Sequence, residues 1–268
     1  MIIELLNGSR YDISDYNLKR LFHYIPSSNI QHNSVEVDGR SDIIVNSKLN
    51  NRNITVELLY DANDIFDYYA LRDEIYNLFV REESYYIIFK NEPYKRWLVR
   101  LGGQFIVPPN PRMQSFEIEF ITINSYGESV GTTRTLKEWD LDVWGWNNTI
   151  DWDEDLRYVF DTNNFTIKNL GNVTIDPRQH ELQIVATVNA ADFFRIVNNT
   201  TGETYQLNLP LTYNSTLVID GINTKVDGVN YFGSTNRKLI SLAPGDNSIS
   251  LVGGQIQRID WNFRFLYK

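Results

Sequence analysis

The side chains able to do chemistry are few, and their spacing is uncooperative. The only imidazoles are His23, His32 and His180. Nucleophilic hydrolysis needs one of them beside a serine and a carboxylate. None is accompanied by the G-x-S-x-G elbow that presents such a serine. There is no cysteine and no H-E-x-x-H spacing, so the usual zinc donor sets are missing. No Walker loop or G-x-G-x-x-G offers a backbone cradle for phosphates. Asp151, Asp153 and Asp155 look like the opening of a calcium loop. An EF-hand then needs Gly and Glu at its sixth and twelfth positions, and those hold Leu156 and Thr162. Glu203 and Asp220 could form a glycosidase pair if they stood about 5–10 Å apart, but acids at turns are first of all turn formers. The chain is therefore read as a non-enzyme, with no catalytic, cofactor or metal residue assigned.

One stretch could bind rather than react. Trp139, Trp144, Trp146 and Trp152 fall among Asp140, Asp142, Asp151, Asp153, Glu154 and Asp155. Trp144, Trp146 and Trp152 could stack on a sugar ring while Asp and Asn side chains hold its hydroxyls. The same indoles could instead fill a seam between two domains, where a large apolar body with one N–H donor fits.

Composition narrows the class of partner. The chain has 268 residues and a net charge of −9. It shows no basic stripe of the kind that grips phosphates. No uninterrupted apolar run is long enough to cross a membrane as a helix. The first residues lack a basic segment followed by an apolar one, so no secretory signal is read there. The Asn-x-Ser/Thr triplets at Asn53, Asn147, Asn164, Asn172, Asn198, Asn199 and Asn214 are accordingly expected to stay unglycosylated. A chain of this length buries enough surface to hold a core without disulfides.

The elements that must position these residues are mostly strands. Ile3 and Leu5 lead into an Asn7-Gly8 turn, with Tyr11 and Ile13 leaving it. Asp38-Gly39 marks another turn. Ile43, Ile44 and Val45 and the run Ile54, Val56, Leu58 are expected to pair as a long hairpin with residues 46–53 as its polar tip. A helix is expected over 65–80, capped from 61–63. Ile65, Tyr68 or Tyr69, Leu71, Ile75, Leu78 and Phe79 form its apolar stripe, with Arg72 on the wet side and Arg81 at its negative end. Strands are expected at 85–89, 96–101, 104–107 and 116–123, with Pro108, Pro109 and Pro111 as a connector. The polar segment 125–135 is the expected boundary. Beyond it, short apolar runs recur about every ten residues between Gly- and Asn-bearing turns, as in a sandwich or jelly roll.

The second half also has a specific order of motifs. Asn169, Gly171 and Pro177 form an N-x-G-x5-P segment, and Asn199 to Gly202 spell N-T-T-G. Asp220-Gly221 and Asp227-Gly228 are paired D-G turns, and Leu242, Pro244, Gly245 and Asn247 form L-x-P-G-x-N. In this order, and with the first half's strand, turn, hairpin and helix, the chain resembles the distal tail proteins of long-tailed, non-contractile bacteriophages of Gram-positive hosts.

The resemblance implies a mainly β fold. An N-terminal β-sandwich with a long hairpin and one α-helix would occupy 1–130. The Trp-rich 131–160 would be a linker or the start of the next domain, and a galectin-like sandwich would occupy 161–268. It implies a homo-hexameric ring at the distal end of the virion tail, assembled in the host cytoplasm. Its partners would be the tail-tube protein, the tail-associated tip protein, and receptor-binding or tape-measure proteins. DNA would pass through the lumen in transit only. A closed ring needs two different patches on each protomer. The expected ring interface is Ile43, Ile44, Val45, Ile54, Val56, Leu58, Tyr68 and Arg72. A carbohydrate-binding module working through Trp144, Trp146 and Trp152 is the alternative. A galectin-like fold does not itself bring sugar binding.

Overall fold

The computed structural model describes residues 1–36, 38, 39, 41, 43–110, 112–135 and 156–268. They are mainly β and separate into two compact units, 1–127 with Lys268, and 128–267. The Trp144, Trp146 and Trp152 stretch lies outside the described residues, as do Asp151, Asp153 and Asp155.

The N-terminal unit contains β1 (Ile2–Leu5), β2 (Arg10–Asp12), β3 (Leu18–Tyr24), β4 (Asn29–Val35), β5 (Ile43–Asn50) and β6 (Asn53–Tyr60). Helix α1 (Ile65–Phe79) follows, then β7 (Tyr85–Ile88), β8 (Lys95–Leu101) and β9 (Gln114–Thr122). The main sheet runs β2-β1-β7-β8-β9-β6-β3 with every neighbour antiparallel. Strict alternation on β6 and β9 turns Ile54, Val56, Leu58, Phe116, Ile118 and Phe120 into the core.

Helix α1 closes that core. Asp64 caps it, its carboxylate accepting from the N–H groups of Phe66 (2.8 Å) and Asp67 (2.9 Å). The expected cap at 61–63 is thus corrected to the next acid. Leu71, Ile75, Leu78 and Phe79 face inward, and Phe79 packs on Phe120 at 6.0 Å. Arg81 donates to the Leu78 carbonyl (2.9 Å) at the C-terminal end. The strand expected at 104–107 is irregular chain instead. It is stapled by tyrosine hydroxyls: Tyr68 donates to the Val107 carbonyl (3.1 Å), and Tyr60 to those of Pro108 and Asn110.

The hairpin is the main correction. Ile43, Ile44 and Val45 do not pair with 54–60. They belong to β5, whose partner is β4, in a separate two-stranded sheet turning at Asp38-Gly39. Residues 46–50, expected as a tip, are strand. β6 pairs instead with β3 and β9.

The C-terminal unit begins within β10 (Gly127–Ser129) and continues with β11 (Val159–Phe160), β12 (Asn164–Asn169), β13 (Leu182–Asn189), β14 (Phe194–Asn198) and β15 (Glu203–Leu207). The rest are β16 (Leu217–Asp220), β17 (Asn223–Val226), β18 (Val229–Asn230), β19 (Gly245–Val252), β20 (Gln255–Phe263) and β21 (Leu266–Tyr267). One sheet runs β11-β20-β13-β16-β17-β18 and the other β12-β19-β14-β15. Inward residues alternate along both, and the sheets meet where Tyr205 Oη lies 3.0 Å from Thr224 Oγ1 and Phe165 packs edge-on to Trp261.

Candidate assembly surface

The β4–β5 hairpin is an arm without a core of its own. Every residue of β4 and residues 43–48 of β5 are exposed, among them Ile30, Val35, Ile43, Ile44 and Val45. Seven residues of antiparallel strand span about 24 Å. The arm is stitched internally, by His32 Nδ1 to Ser47 Oγ (2.7 Å) and by Asn50 donating to Gln31 Oε1 (3.2 Å). A two-stranded hairpin is marginal in water without something to pack on. The bulge opposite Asn33 and Ser34 leaves Val45 unpaired in the register, and it is 65% exposed. At the arm's base, the edge strand β3 adds exposed Phe22 and Tyr24.

A second exposed apolar region lies on α1. Phe66 is 81% exposed and Ile106 75%, with Tyr69 and Val80 also in solvent. Tyr76, Val80, Leu101, Phe105 and Ile106 line an open groove of about 510 Å³. Arg72 sits on this side of the helix. Its guanidinium lies over the Tyr69 ring at 5.1 Å and donates to Asp73.

The expected interface residues therefore separate. Ile43, Ile44, Val45 and Arg72 lie on the two exposed regions. Ile54, Val56 and Leu58 are completely buried, and Tyr68 nearly so. They are removed from the interface, because alternation on β6 and the inward stripe of α1 commit them to the core. The exposed helix residues Phe66 and Tyr69 were missed. For Phe66 the signal was available, an apolar side chain off the inward stripe of an amphipathic helix. Tyr69 was the alternative to Tyr68 on that stripe, and the structure turns Tyr68 inward and leaves Tyr69, with Ile65, exposed.

The solvent face of the main sheet is acidic at one place. Glu57 on β6 stands directly opposite Glu117 on β9, with Glu119 next along the same face. Like charges in directly opposed positions are unfavourable for the sheet.

The C-terminal unit uses its polar residues for structure. Asn169, Asn198 and Asn247 are buried. The Asn247 amide donates to the carbonyls of Ala243 (2.8 Å) and Gly245 (3.0 Å), and its Oδ1 accepts from Ala243 N–H (2.9 Å). Asn198 donates to the Ser241 carbonyl (2.8 Å), and Asn169 to that of Val173 (2.9 Å). Glu203 accepts from both the N–H and the hydroxyl of Ser241 (2.6 Å each). Trp261 is completely buried and cannot present a ring face to a sugar. His180 holds a turn, its Nδ1 accepting from Asp176 N–H at 2.9 Å, and burial lowers its pKa from the ordinary value. No group of three or more potential metal ligands forms among the described residues.

Comparison with known proteins fits this architecture. Residues 6–122 match the family model of the phage tail protein RIFT-related domain. Among curated proteins no sequence matches the chain. Of solved structures, the chain is similar to the Dit protein of phage SPP1, described as a paradigm of the hub adsorption apparatus in phages infecting Gram-positive hosts. The TM-score is 0.69 at 12% identity, with 98% of each chain covered. A chain of the phage p2 baseplate in its activated conformation gives 0.47 at 9% identity, covering 98% of this chain and 96% of that one. The first likeness carries the fold; the second is too low to add to it. Residues 6–122 thus match the phage tail RIFT-related domain model, and the whole chain shares the fold of the SPP1 Dit protein.

Proposed function

We propose that this phage tail protein is a structural hub without enzymatic activity. Six copies close head-to-tail into a ring at the distal end of the tail. The ring joins the tail-tube protein on one side to the tip protein on the other and carries the adhesion apparatus. Receptor-binding or tape-measure proteins are further candidates for contact. The N-terminal unit forms the ring and the C-terminal sandwich lies outside it. Assembly takes place in the host cytoplasm.

The observation that carries this reading is the exposed arm. A protomer in a closed heterologous ring must offer two unlike patches. The arm with Ile43, Ile44 and Val45 is one, and the exposed side of α1 with Phe66, Tyr69, Arg72 and the Val80–Ile106 groove is the other. Covering the arm on a second copy would supply the packing that it lacks alone. The opposed Glu57 and Glu117, with Glu119, suit a lumen wall, where repulsion of phosphate lets DNA slide without sticking.

Light scattering coupled to gel filtration, with negative-stain imaging, tests the proposal. The expected species has about six times the 31.3 kDa chain mass and a visible central opening. A monomer that persists to high concentration, alone and with the tail-tube and tip proteins added, would overturn it.

A further inference from the structure

A buried arginine normally brings a carboxylate with it, because a desolvated guanidinium alone is unfavourable. Arg96 follows this rule, with Nη1 2.6 Å from Glu4 Oε1. Arg52 does not. It is 4% exposed, and none of its side-chain bonds goes to an acid. Nε and Nη2 donate to the Ser125 carbonyl (3.0 and 2.8 Å), Nη2 to Ser28 Oγ (2.6 Å) and Nη1 to the Pro26 carbonyl (3.3 Å). Its Cζ lies 5.1 Å from the centroid of the Trp97 ring. Burial lowers its pKa from the ordinary arginine value.

The positions of these partners in the chain give the arrangement its meaning. Arg52 lies between β5 and β6, where the arm returns to the main sheet. Pro26 and Ser28 lie between β3 and β4, where the arm leaves it. Ser125 precedes the end of the N-terminal unit by two residues. Its hydroxyl donates to the Leu49 carbonyl at 3.0 Å, a second bond onto the returning strand. The backbone of Arg52 is fixed as well: its carbonyl accepts from Thr122 N–H (2.9 Å) and its N–H donates to Thr122 Oγ1 (2.9 Å). Trp97 is a tightly held platform. A Cβ placed on Gly127 would lie 3.0 Å from Trp97 Cε2.

We infer that Arg52 is the positioning residue of the arm: its guanidinium ties both roots of the β4–β5 hairpin to the segment 125–127, so that arm and segment are ordered as one body. Only a planar fork reaches Ser125, Ser28 and Pro26 together; an ammonium is a point donor. The link to assembly rests on the ring reading above, whereas the ordering itself is measurable in a single chain.

Amide hydrogen exchange followed by mass spectrometry tests this on the full chain, at a concentration where wild type and variant have the same mass by light scattering. Arg52→Lys is expected to speed exchange by about tenfold or more in 27–31, 48–53 and 122–127 together, leaving β7 and β8 within about twofold. Gly127→Ala, which displaces Trp97, is expected to loosen the same three segments to a smaller degree. It carries the test if Arg52→Lys fails to fold by circular dichroism. Loosening of the arm roots without 122–127, or of neither, overturns the inference. A monomeric wild type would count against the ring reading and leave the exchange result standing.

Discussion

Strands β5 and β13 are each eight residues long, yet they have opposite fates. β13 pairs with β16 and β20, faces a second sheet, and buries every other side chain. Among the described residues β5 pairs with β4 alone, and its residues 43–48 are exposed. Its Ile43-Ile44-Val45 run is as apolar as anything in β13, but remains in solvent. Burial is decided by the number of neighbours an element has, and the difference separates a part that stabilises the fold from a part available to another molecule.

The contrast breaks most easily in the sandwich. Phe194 is completely buried on β14. Phe194→Ala is expected to cost about 3–5 kcal/mol, read as a lower denaturant midpoint for the C-terminal unit. A loss below about 1 kcal/mol would mean that this core is not the packed layer described. Gly171→Ala comes next. A Cβ there would lie 2.4 Å from the Leu266 carbonyl oxygen, so the closing strand must shift, at about 1–3 kcal/mol. An unchanged midpoint would rule out that close approach.

A smaller effect follows pH. The native pKa of His180 lies below its ordinary 6.5, chiefly because of burial. The unfolded chain therefore takes up this proton at higher pH than the native one. The His180 contribution to stability is complete above about pH 6.5, declines as pH falls below that, and levels off beneath the native pKa. Protonation of Nδ1 also removes the acceptor for Asp176 N–H. Urea midpoints at pH 7.5 and 5.5 should differ less in His180→Gln than in wild type; equal differences would rule His180 out.

The smallest effect on stability is expected in the arm. Ile44→Asp should leave the unfolding of a single chain within about 0.5 kcal/mol, since the side chain touches no core. The same change should abolish the ring species in light scattering. If it instead unfolds the monomer, the arm has an intramolecular partner and the contrast between β5 and β13 is lost.

How much was legible followed from how local the signal was. The α1 stripe of Leu71, Ile75, Leu78 and Phe79 needs only 3.6-residue periodicity, and it was readable, as was the alternation in 116–123. The Asn169, Gly171 and Asn247 motifs were readable as turns. Their burial was not, because the acceptors of Asn247 and Asn198 come from several segments. The hairpin misreading has the same origin. Ile54, Val56 and Leu58 follow Ile43, Ile44 and Val45 closely in the chain, so local pairing was the natural expectation. Their partners are β3 and β9, the latter some sixty residues away along the chain. Polar residues 46–50 could be strand because an arm open on both faces imposes no apolar pattern. Arg52 was invisible for a related reason: arginine reads as surface until its carbonyl partners from 26 and 125 are brought around it.

By itself, then, the sequence determined the β-rich class, the one amphipathic helix, the turns of the second half and the acidic balance, because each depends on residues within about one turn or strand of each other. The tertiary structure decided which apolar run is core and which is arm, that β6 is a central strand, and that a buried arginine holds the arm's root. Those outcomes depend on which distant strand occupies the neighbouring place in the sheet, and only the closed chain supplies that neighbour.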